Sequence, residues 1–192
     1  MEVRKIVEEF LTTDQEELIE KICEISEIRH YKKKENIYRI GEVQTKLYIH
    51  LTGAVQIYFV DETQAEITDC FVTKRGTSVN SHDILKGVPE PSVFGTRALM
   101  DTEMLEIPVD EFFRLLNQYP ELMKVCVLFM WGAIEFHDEI NRARLYMKGK
   151  DRYCWFREKW KEIDEVASNQ QIATFLGIKS ESLSRLRREI SN

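Results

Sequence analysis

The pattern of the chain changes sharply at Pro108. Between residues 25 and 107 it holds short stretches rich in β-branched and aromatic side chains, of which 47–51 and 54–60 are separated by Thr52-Gly53. This pattern predicts strands joined by tight turns. After Pro108, apolar residues recur at helical spacing as far as the C-terminus. A run of short strands followed by a run of helices predicts an α+β protein built on a sandwich or barrel of strands.

The remaining elements follow from the same periodicities. Residues 3–23 carry two apolar stripes at helical spacing, and Thr13-Asp14-Gln15-Glu16 has the form of a helix start with a capping hydroxyl. The segment 76–95 is rich in Gly, Pro, Ser and Asn, which predicts an irregular loop. Further strands are expected at 65–72 and 102–107, and further helices at 109–117, 120–147, 153–161, 168–176 and 180–190.

Composition argues against several classes of protein. No run approaches the roughly 18 apolar residues that a membrane-spanning helix needs. The first ten residues are amphipathic and lack the apolar core of a signal peptide, which predicts a cytoplasmic protein. The cysteines and histidines lack the close spacing of metal or iron–sulfur ligands, so no metal or cofactor is expected. They are Cys23, Cys70, Cys126 and Cys154, and His30, His50, His82 and His137.

The charge of the chain is divided unevenly. The net charge of −6 argues against indiscriminate binding to nucleic acid. Residues 148–192, however, hold ten Lys and Arg against seven Asp and Glu, whereas the rest of the chain is acidic. Basic charge is therefore concentrated at the C-terminal end.

The helix predicted at 120–147 is the longest in the chain and is apolar on two faces. One face repeats at alternating steps of four and three residues, which is the spacing of a heptad seam. This seam predicts that two copies of the chain pair along the helix, with Val125, Leu128, Met130 and Trp131 available to pack on the protein's own sheet. The alternative is that the seam itself is the face that packs on the sheet. The seam consists of Leu122, Cys126, Phe129, Ala133, Phe136, Ile140, Ala143 and Met147.

Residues 168–190 have the pattern of a helix-turn-helix. This motif needs two short helices that cross steeply, with little side-chain bulk where they meet. Ala173 is a small residue within the first helix, and Gly177 ends that helix. A small shared core is expected from Ile172, Leu176, Ile178, Leu183 and Leu186. The second helix then exposes side chains of the types that reach bases and phosphates in the DNA major groove, namely Glu181, Ser182, Ser184, Arg185, Arg187 and Arg188.

The chain resembles a known family over nearly its whole length. Tyr38-Arg-Ile-Gly-Glu42, followed by Tyr48-Ile-His-Leu-Thr-Gly53-Ala-Val, looks like the first half of a cyclic-nucleotide-binding β-roll. Residues 171–185 look like the helix-turn-helix of the Crp/Fnr superfamily of transcription regulators. The resemblance implies a double-stranded β-helix (a jelly-roll or β-roll) as a sensor domain at 1–119. A dimerisation helix at 120–147 and a DNA-binding domain at 148–192 would follow.

The resemblance also implies how the protein binds DNA. A homodimer would bind a pseudo-palindromic operator in double-stranded DNA. Glu181 and Arg185, with Ser180 beside them, would read bases, and Arg187 and Arg188 would contact backbone phosphate. Many members of the family continue into a β-hairpin wing. Because the sequence ends at Asn192, a DNA-binding domain without a full wing is expected.

The loop region lacks the family's cassette for cyclic AMP. In members that bind cyclic AMP, Gly-Glu is followed after several residues by an arginine, because the anionic phosphate needs a guanidinium and backbone N–H groups. Ser92 stands at the place expected for that arginine, and Arg97 is expected on the other face of its strand. Cyclic AMP is therefore not the expected ligand. Ser78, Ser81 and Ser92 could line a pocket for another small-molecule effector, or the β-roll could bind none.

Two other classes of protein compete with this interpretation. A metal-dependent β-barrel enzyme would need two or three histidines and a carboxylate on adjacent strands, whereas the histidines of the strand region, His30, His50 and His82, are scattered, and His82 falls in the predicted loop. No enzymatic activity is therefore expected. The other alternative is a ligand-binding signalling module whose C-terminal helices contact a protein partner instead of DNA.

Overall fold

The computed structural model describes residues 3–11, 13–80 and 90–191. Along the chain, helices precede and follow a region of antiparallel strands, so the predicted α+β class is confirmed. The helices are α1 (Val3–Leu11), α2 (Glu16–Ile25), α3 (Val109–Gln118), α4 (Leu122–Tyr146), α5 (Gly149–Lys159), α6 (Lys161–Val166), α7 (Asn169–Leu176) and α8 (Ser180–Ser191). The strands are β1 (Glu27–Tyr31), β2 (Asn36–Tyr38), β3 (Lys46–Thr52), β4 (Val55–Val60), β5 (Glu66–Val72), β6 (Gly95–Ala98) and β7 (Thr102–Pro108).

The strands form two antiparallel sheets with the orders β1-β7-β3 and β2-β6-β4-β5. The turn between β3 and β4 requires glycine, because Gly53 has a φ of +86° and a Cβ there would lie 2.4 Å from the carbonyl oxygen of Asp101. This confirms the predicted turn at Thr52-Gly53. Consecutive strands along the chain are often not neighbours in a sheet, as in a β-roll: β3 pairs with β7, and β4 lies between β5 and β6.

The start of α2 differs from the prediction. The helix begins at Glu16, and its N-cap residue Gln15 makes no side-chain capping bond. The Thr13 hydroxyl instead accepts a hydrogen bond from the Gln15 N–H at 3.3 Å, two residues along the chain. Thr13 therefore shapes the turn before the helix and does not cap it.

Two apolar cores hold the fold together. In the first, α1, α2, α3 and the start of α4 pack on the sheet β1-β7-β3. In the second, the side chains inside the β region are continuous with those of the C-terminal helices. Phe71 of β5 and Phe175 of α7 join the two parts, with ring centroids 5.2 Å apart. The β region and the C-terminal helices therefore share a core, which the sequence pattern does not reveal.

An ion pair with a buried carboxylate links β1, β3 and β7. Glu106 of β7 is fully buried, and its carboxylate accepts from the Lys46 ammonium at 2.7 Å and from the Tyr31 hydroxyl. Burial, reinforced by the Glu106 carboxylate, raises the pKa of Tyr31, so the phenol stays protonated as a donor. Removing the Lys46 ammonium would leave the buried Glu106 carboxylate without its cation, which is strongly destabilising.

Candidate nucleic-acid interface

The first helix of the predicted helix-turn-helix is closed at its N-terminus by a capping box. Ser168 is the N-cap of α7, and its Oγ accepts from the Gln171 N–H at 3.2 Å. The Gln171 side-chain oxygen in turn accepts from the Ser168 N–H at 2.8 Å. Two backbone donors that a helix start otherwise leaves unpaired are thus satisfied, which fixes the position where α7 begins.

The turn between α7 and α8 forms where the sequence predicts it. Gly177 adopts the left-handed conformation with a φ of +64°, and the Ile178 N–H donates to the Ala173 carbonyl at 3.0 Å. This arrangement is the usual helix end at glycine. The predicted shared core is confirmed, because Ile172, Leu176, Leu183 and Leu186 are buried and Ile178 packs against them.

The outer face of α8 carries exposed charged side chains. Glu181, Arg185 and Arg188 are all exposed and lie four and then three residues apart, so they share one helix face. The Arg185 side chain is 69% exposed and lies 3.8 Å from Glu189, an exposed pair that contributes little to stability. These three residues form what we call the α8 row.

The three predicted serines of α8 are placed less favourably for a ligand. The Ser180 hydroxyl donates to the Gln170 side-chain oxygen at 2.6 Å, and the Ser184 hydroxyl accepts from the Asn169 amide at 3.0 Å. Ser180, Ser182 and Ser184 are each half-buried. They border the α8 row without projecting as far from the protein as its charged residues.

Arg187 has a different position from the one that the resemblance implies. Its guanidinium donates to the Asp164 carboxylate at 2.7 Å, to the Tyr153 hydroxyl at 3.2 Å and to the Asn169 side-chain oxygen. These contacts direct it towards α5, α6 and the start of α7, so Arg187 joins these helices to α8. Because Arg187 is half-buried and held by these contacts, it is not included in the α8 row.

The helix-turn-helix is docked on the β region through buried polar side chains. The Gln171 amide donates to Gln56 of β4 at 2.6 Å, and the Gln56 amide donates to the Thr68 hydroxyl of β5 at 2.8 Å. Thr174 of α7 accepts from the Thr68 N–H at 3.1 Å. Gln56 and Thr68 are 0% and 1% exposed, and they pair with one another and with α7. Because unpaired buried polar groups are costly, this network favours one docking position of α7 on the sheet.

Arg144 of α4 strengthens the same contact. Its guanidinium donates to the carbonyl of Phe175 at 2.8 Å and to the carbonyl of Asp69 at 2.7 Å, so it connects α7 to β5. It also lies 5.0 Å from the centre of the Phe175 ring, within the range of a cation–π contact. Burial lowers the pKa of Arg144, although an arginine remains charged in this setting. The sequence offers no signal for these contacts, because they join residues distant along the chain.

Most of the predicted seam of α4 packs inside the protomer. Leu122, Ile140 and Ala143 of the predicted seam are each 1% exposed, because they pack inside the protomer. Phe129 contacts the Phe10 ring and Phe136 contacts the Trp160 ring, at centroid distances of 6.2 and 6.1 Å. Cys126 is also half-buried in the apolar core, whereas Ala133 and Met147 are exposed. Most of the predicted seam is therefore an intramolecular surface.

The exposed apolar residues of α4 lie on the other side of the helix. Their exposed fractions are 51% for Met123, 49% for Val127, 44% for Met130, 59% for Trp131 and 59% for Ile134. Met123, Val127, Met130 and Ile134 again follow one another at steps of four, three and four residues, which is a heptad spacing. We call these five residues the outer face of α4. Of the side chains expected to pack on the sheet, only Val125 packs against the core, while Leu128 is 58% exposed.

The three serines predicted to line a ligand pocket do not come together in one site among the described residues. Ser92 is 2% exposed, and its hydroxyl donates to the Phe94 carbonyl at 2.8 Å, so the hydroxyl is satisfied within its own turn. Ser78 is exposed and lines a cavity of about 700 Å³ between the β region, α1 and α4. Ser81 lies outside the described residues. Arg97 forms a two-point ion pair with Glu66 at 2.8 and 3.1 Å, so its charge is already balanced.

His50, on strand β3, is buried in the protein. Its Nδ1 lies 3.2 Å from the carbonyl oxygen of Lys74. Burial lowers its pKa, which favours the neutral imidazole. In the part of the chain that the structure describes, no three His, Cys, Asp or Glu side chains are grouped closely enough to hold a metal ion. The same described residues contain no helix that is both long and apolar enough to cross a membrane.

Comparison with known proteins identifies this arrangement. Residues 28–119 match the cyclic nucleotide-binding domain family. The c-di-GMP responsive global regulator CLP of Xanthomonas campestris has a similar structure, with a TM-score of 0.72, 16% identity and coverage of 91% of both chains. FixK2 of Bradyrhizobium japonicum gives a TM-score of 0.68 at 18% identity, covering 87% of this chain and 85% of its own. The catabolite activator protein of Thermus thermophilus gives a TM-score of 0.55 at 15% identity, covering 95% of this chain and 86% of its own. No curated protein sequence matches the chain.

The two comparisons cover different parts of the molecule. The family match begins in β1 and ends directly after α3, so it covers the strands of the β region. The structural similarity extends through α4 and the C-terminal helices, and at these identities it shows the fold. The chain therefore shares its fold with these regulators of known structure over most of its length, and residues 28–119 match the cyclic nucleotide-binding domain family.

Proposed function

We propose that this chain is a homodimeric transcription regulator of the Crp/Fnr type that binds double-stranded DNA through α8. The observation that carries the proposal is the α8 row of Glu181, Arg185 and Arg188, exposed on a helix whose opposite face is fixed by a buried core. An arginine pairs with guanine and a glutamate accepts from cytosine in the major groove. Glu181 and Arg185 are thus proposed to read bases, and Arg188 to contact phosphate.

The outer face of α4 supplies the proposed dimer interface. Five large apolar side chains exposed together on one helix mark an interaction site, and their heptad spacing favours a second copy of the same helix. A dimer with two-fold symmetry would place two copies of α8 in successive major grooves, about 34 Å apart, on a pseudo-palindromic site.

We retain the boundaries 1–119, 120–147 and 148–192 for the β-roll, the dimerisation helix and the DNA-binding domain. The protein is proposed to act in the cytoplasm, without enzymatic activity.

Selection of DNA from a random-sequence pool tests the proposal. The wild-type protein is expected to enrich one motif, and the double variant Glu181→Ala/Arg185→Ala is expected to lose that enrichment. The control variant Glu111→Ala/Arg114→Ala removes an exposed acid and an exposed arginine from α3, far from α8 in the chain, and is expected to enrich the wild-type motif. If the wild type enriches nothing even at low salt, or both double variants behave alike, α8 does not read DNA.

The two neighbouring arginines of α8 are expected to have separate effects. Arg187→Ala removes charge-assisted hydrogen bonds to Asp164 and should lower the free energy of unfolding by about 1–3 kcal/mol. Arg188→Ala should change that free energy by less than about 0.5 kcal/mol. Arg188→Ala should instead reduce the slope of log affinity for DNA against log salt by about 1, because one phosphate contact is lost. Urea unfolding and a salt series of DNA affinities measure both effects. If Arg187→Ala reduced the salt slope and left the free energy of unfolding unchanged, the structural role proposed for Arg187 would be contradicted.

A further inference from the structure

The outer face of α4 continues into two polar residues at the same heptad spacing. After Ile134, the next steps of three and four residues along the helix reach His137 and Asn141. Both side chains are exposed, and both positions lie within α4, which ends at Tyr146. The heptad seam on this side of the helix therefore runs from Met123 to Asn141 and changes from apolar to polar towards its C-terminal end.

The spacing assigns each residue of this seam to a heptad position. A step of three residues leads from position a to position d, and a step of four leads from d to the next a. The a positions hold Val127, Ile134 and Asn141, and the d positions hold Met123, Met130 and His137. β-Branched residues at a with leucine at d favour two strands, and methionine, like leucine, has no branch at Cβ. The apolar part of the seam thus has the composition of a helix that pairs with one other helix.

The polar end of the seam distinguishes the two directions in which a second α4 could lie. In an antiparallel pair that buries the whole seam, Asn141 would face Met123 of the partner subunit, because the two positions are equally far from the centre of the seam. His137 would face Val127 of the partner subunit for the same reason. Polar groups would then be buried against apolar ones, which is unfavourable. In a parallel pair in register, each residue faces its own counterpart, so polar side chains meet polar ones.

An asparagine that faces its own counterpart can satisfy its hydrogen bonds. The side-chain amide carries both a donor and an acceptor, so two copies related by a two-fold axis can each donate to the other. A single asparagine at an a position fixes the register and the number of strands of a coiled coil. We infer that Asn141 of two copies pairs across the two-fold axis, and that this contact selects a second copy of the chain, parallel and in register, as the partner of α4. The inference rests on the proposed function for the use of the outer face as the dimer interface.

Parallel pairing has a direct consequence for DNA binding. The C-terminal helices follow α4 at once, beginning with α5 at Gly149. A parallel pair therefore places both DNA-binding domains at the same end of the two α4 helices, whereas an antiparallel pair would place them at opposite ends. Two copies of α8 that enter successive major grooves of one site need the former arrangement. Asn141 would thus determine the geometry of DNA binding without touching DNA.

Charged variants at position 141 test the inference. Asn141→Asp and Asn141→Lys each place two like charges at the axis of a homodimer, so each variant alone should associate at least about tenfold more weakly than the wild type. An equal mixture of the two should form the heterodimer in at least about tenfold excess over either homodimer, because opposite charges then face each other. Native mass spectrometry of the full chains without DNA, with one variant isotopically labelled, separates the three dimers by mass.

The same substitutions at the next residue of α4 provide the control. Arg142 is at position b, outside the seam, and its side chain is 65% exposed. A mixture of Arg142→Asp and Arg142→Lys is expected to give the heterodimer and the homodimers in statistical proportions. Circular dichroism establishes that all four variants are folded, and this is the expected result because both positions are exposed in the protomer.

Three results would overturn the inference. They are a statistical mixture of dimers for the two position-141 variants, an equal preference for the heterodimer in the Arg142 pair, and homodimers of both position-141 variants that are as tight as the wild-type dimer. A wild-type protein that is a dimer but gives any of these results contradicts the pairing of Asn141 and leaves the proposed dimer intact. A wild-type protein that is monomeric contradicts the proposed dimer itself, so the two failures are distinguishable.

Discussion

The double variant Val127→Glu/Trp131→Glu is expected to be monomeric and to bind operator DNA about 100-fold more weakly than the wild type, because linked recognition helices gain affinity of this order. Val127 and Trp131 are 49% and 59% exposed in the protomer, at the centre of the outer face of α4. In a dimer their replacements would bury carboxylates among apolar side chains, which is costly. Sedimentation velocity over a range of protein concentrations measures the change in assembly, and DNA affinity is measured in parallel.

A matched variant controls for the added charge. Leu128→Glu/Tyr146→Glu also replaces two exposed apolar residues of α4, at 58% and 80% exposure, but neither belongs to the outer face. This variant is expected to remain dimeric. Both double variants should retain nearly the wild-type free energy of unfolding of the protomer, because the replaced side chains are exposed there. A Val127→Glu/Trp131→Glu protein that is still a dimer would show that the outer face of α4 is not the interface.

The second large effect concerns the core that joins the β region to the helix-turn-helix. Phe175→Ala is expected to lower the free energy of unfolding by about 3–5 kcal/mol, as is usual for deleting a buried phenyl ring. The Phe175 ring is 1% exposed and lies 5.2 Å from the Phe71 ring and 5.3 Å from the Trp160 ring, measured between centroids. Urea unfolding monitored by tryptophan fluorescence and by far-ultraviolet circular dichroism measures the loss.

Tryptophan fluorescence and circular dichroism should report the same unfolding transition, because the β region and the C-terminal helices share this core. The control Phe59→Ala removes a half-buried ring from β4, whose nearest ring partner is Phe94 at 6.2 Å. It should cost much less than Phe175→Ala, since the side chain is already partly in water. Two separate transitions, or equal costs for the two variants, would show that the C-terminal helices fold independently of the β region.

The local features of the fold could be predicted from the sequence. The turn at Gly177 depends on a left-handed backbone conformation that glycine adopts readily, and the capping box needs Ser168 and Gln171 three residues apart. The strands β3, β4, β5 and β7 are rich enough in β-branched and aromatic residues to be recognised. By contrast, β1 is mostly exposed and polar, and β2 and β6 are only three and four residues long. Their positions depend on pairing with distant strands.

The roles of the two faces of α4 could not be predicted from the sequence alone. Both faces are apolar and both repeat at heptad steps, so periodicity identifies the stripes but not the partner that each one contacts. The direction of Arg187 is a similar case. Its position on α8 suits a phosphate contact, and only the packing of α6 and Asp164 beside it directs the guanidinium inwards.

The stoichiometry of the protein on its selected DNA motif tests the central claim most directly. Sedimentation equilibrium of the wild-type protein with a duplex that carries the enriched motif is expected to give two chains per duplex. The motif itself should have two-fold symmetry, with half-sites centred about 10 base pairs apart or a multiple of that distance. One chain per duplex on an asymmetric motif would contradict the account of a dimer that presents two copies of α8 to successive major grooves.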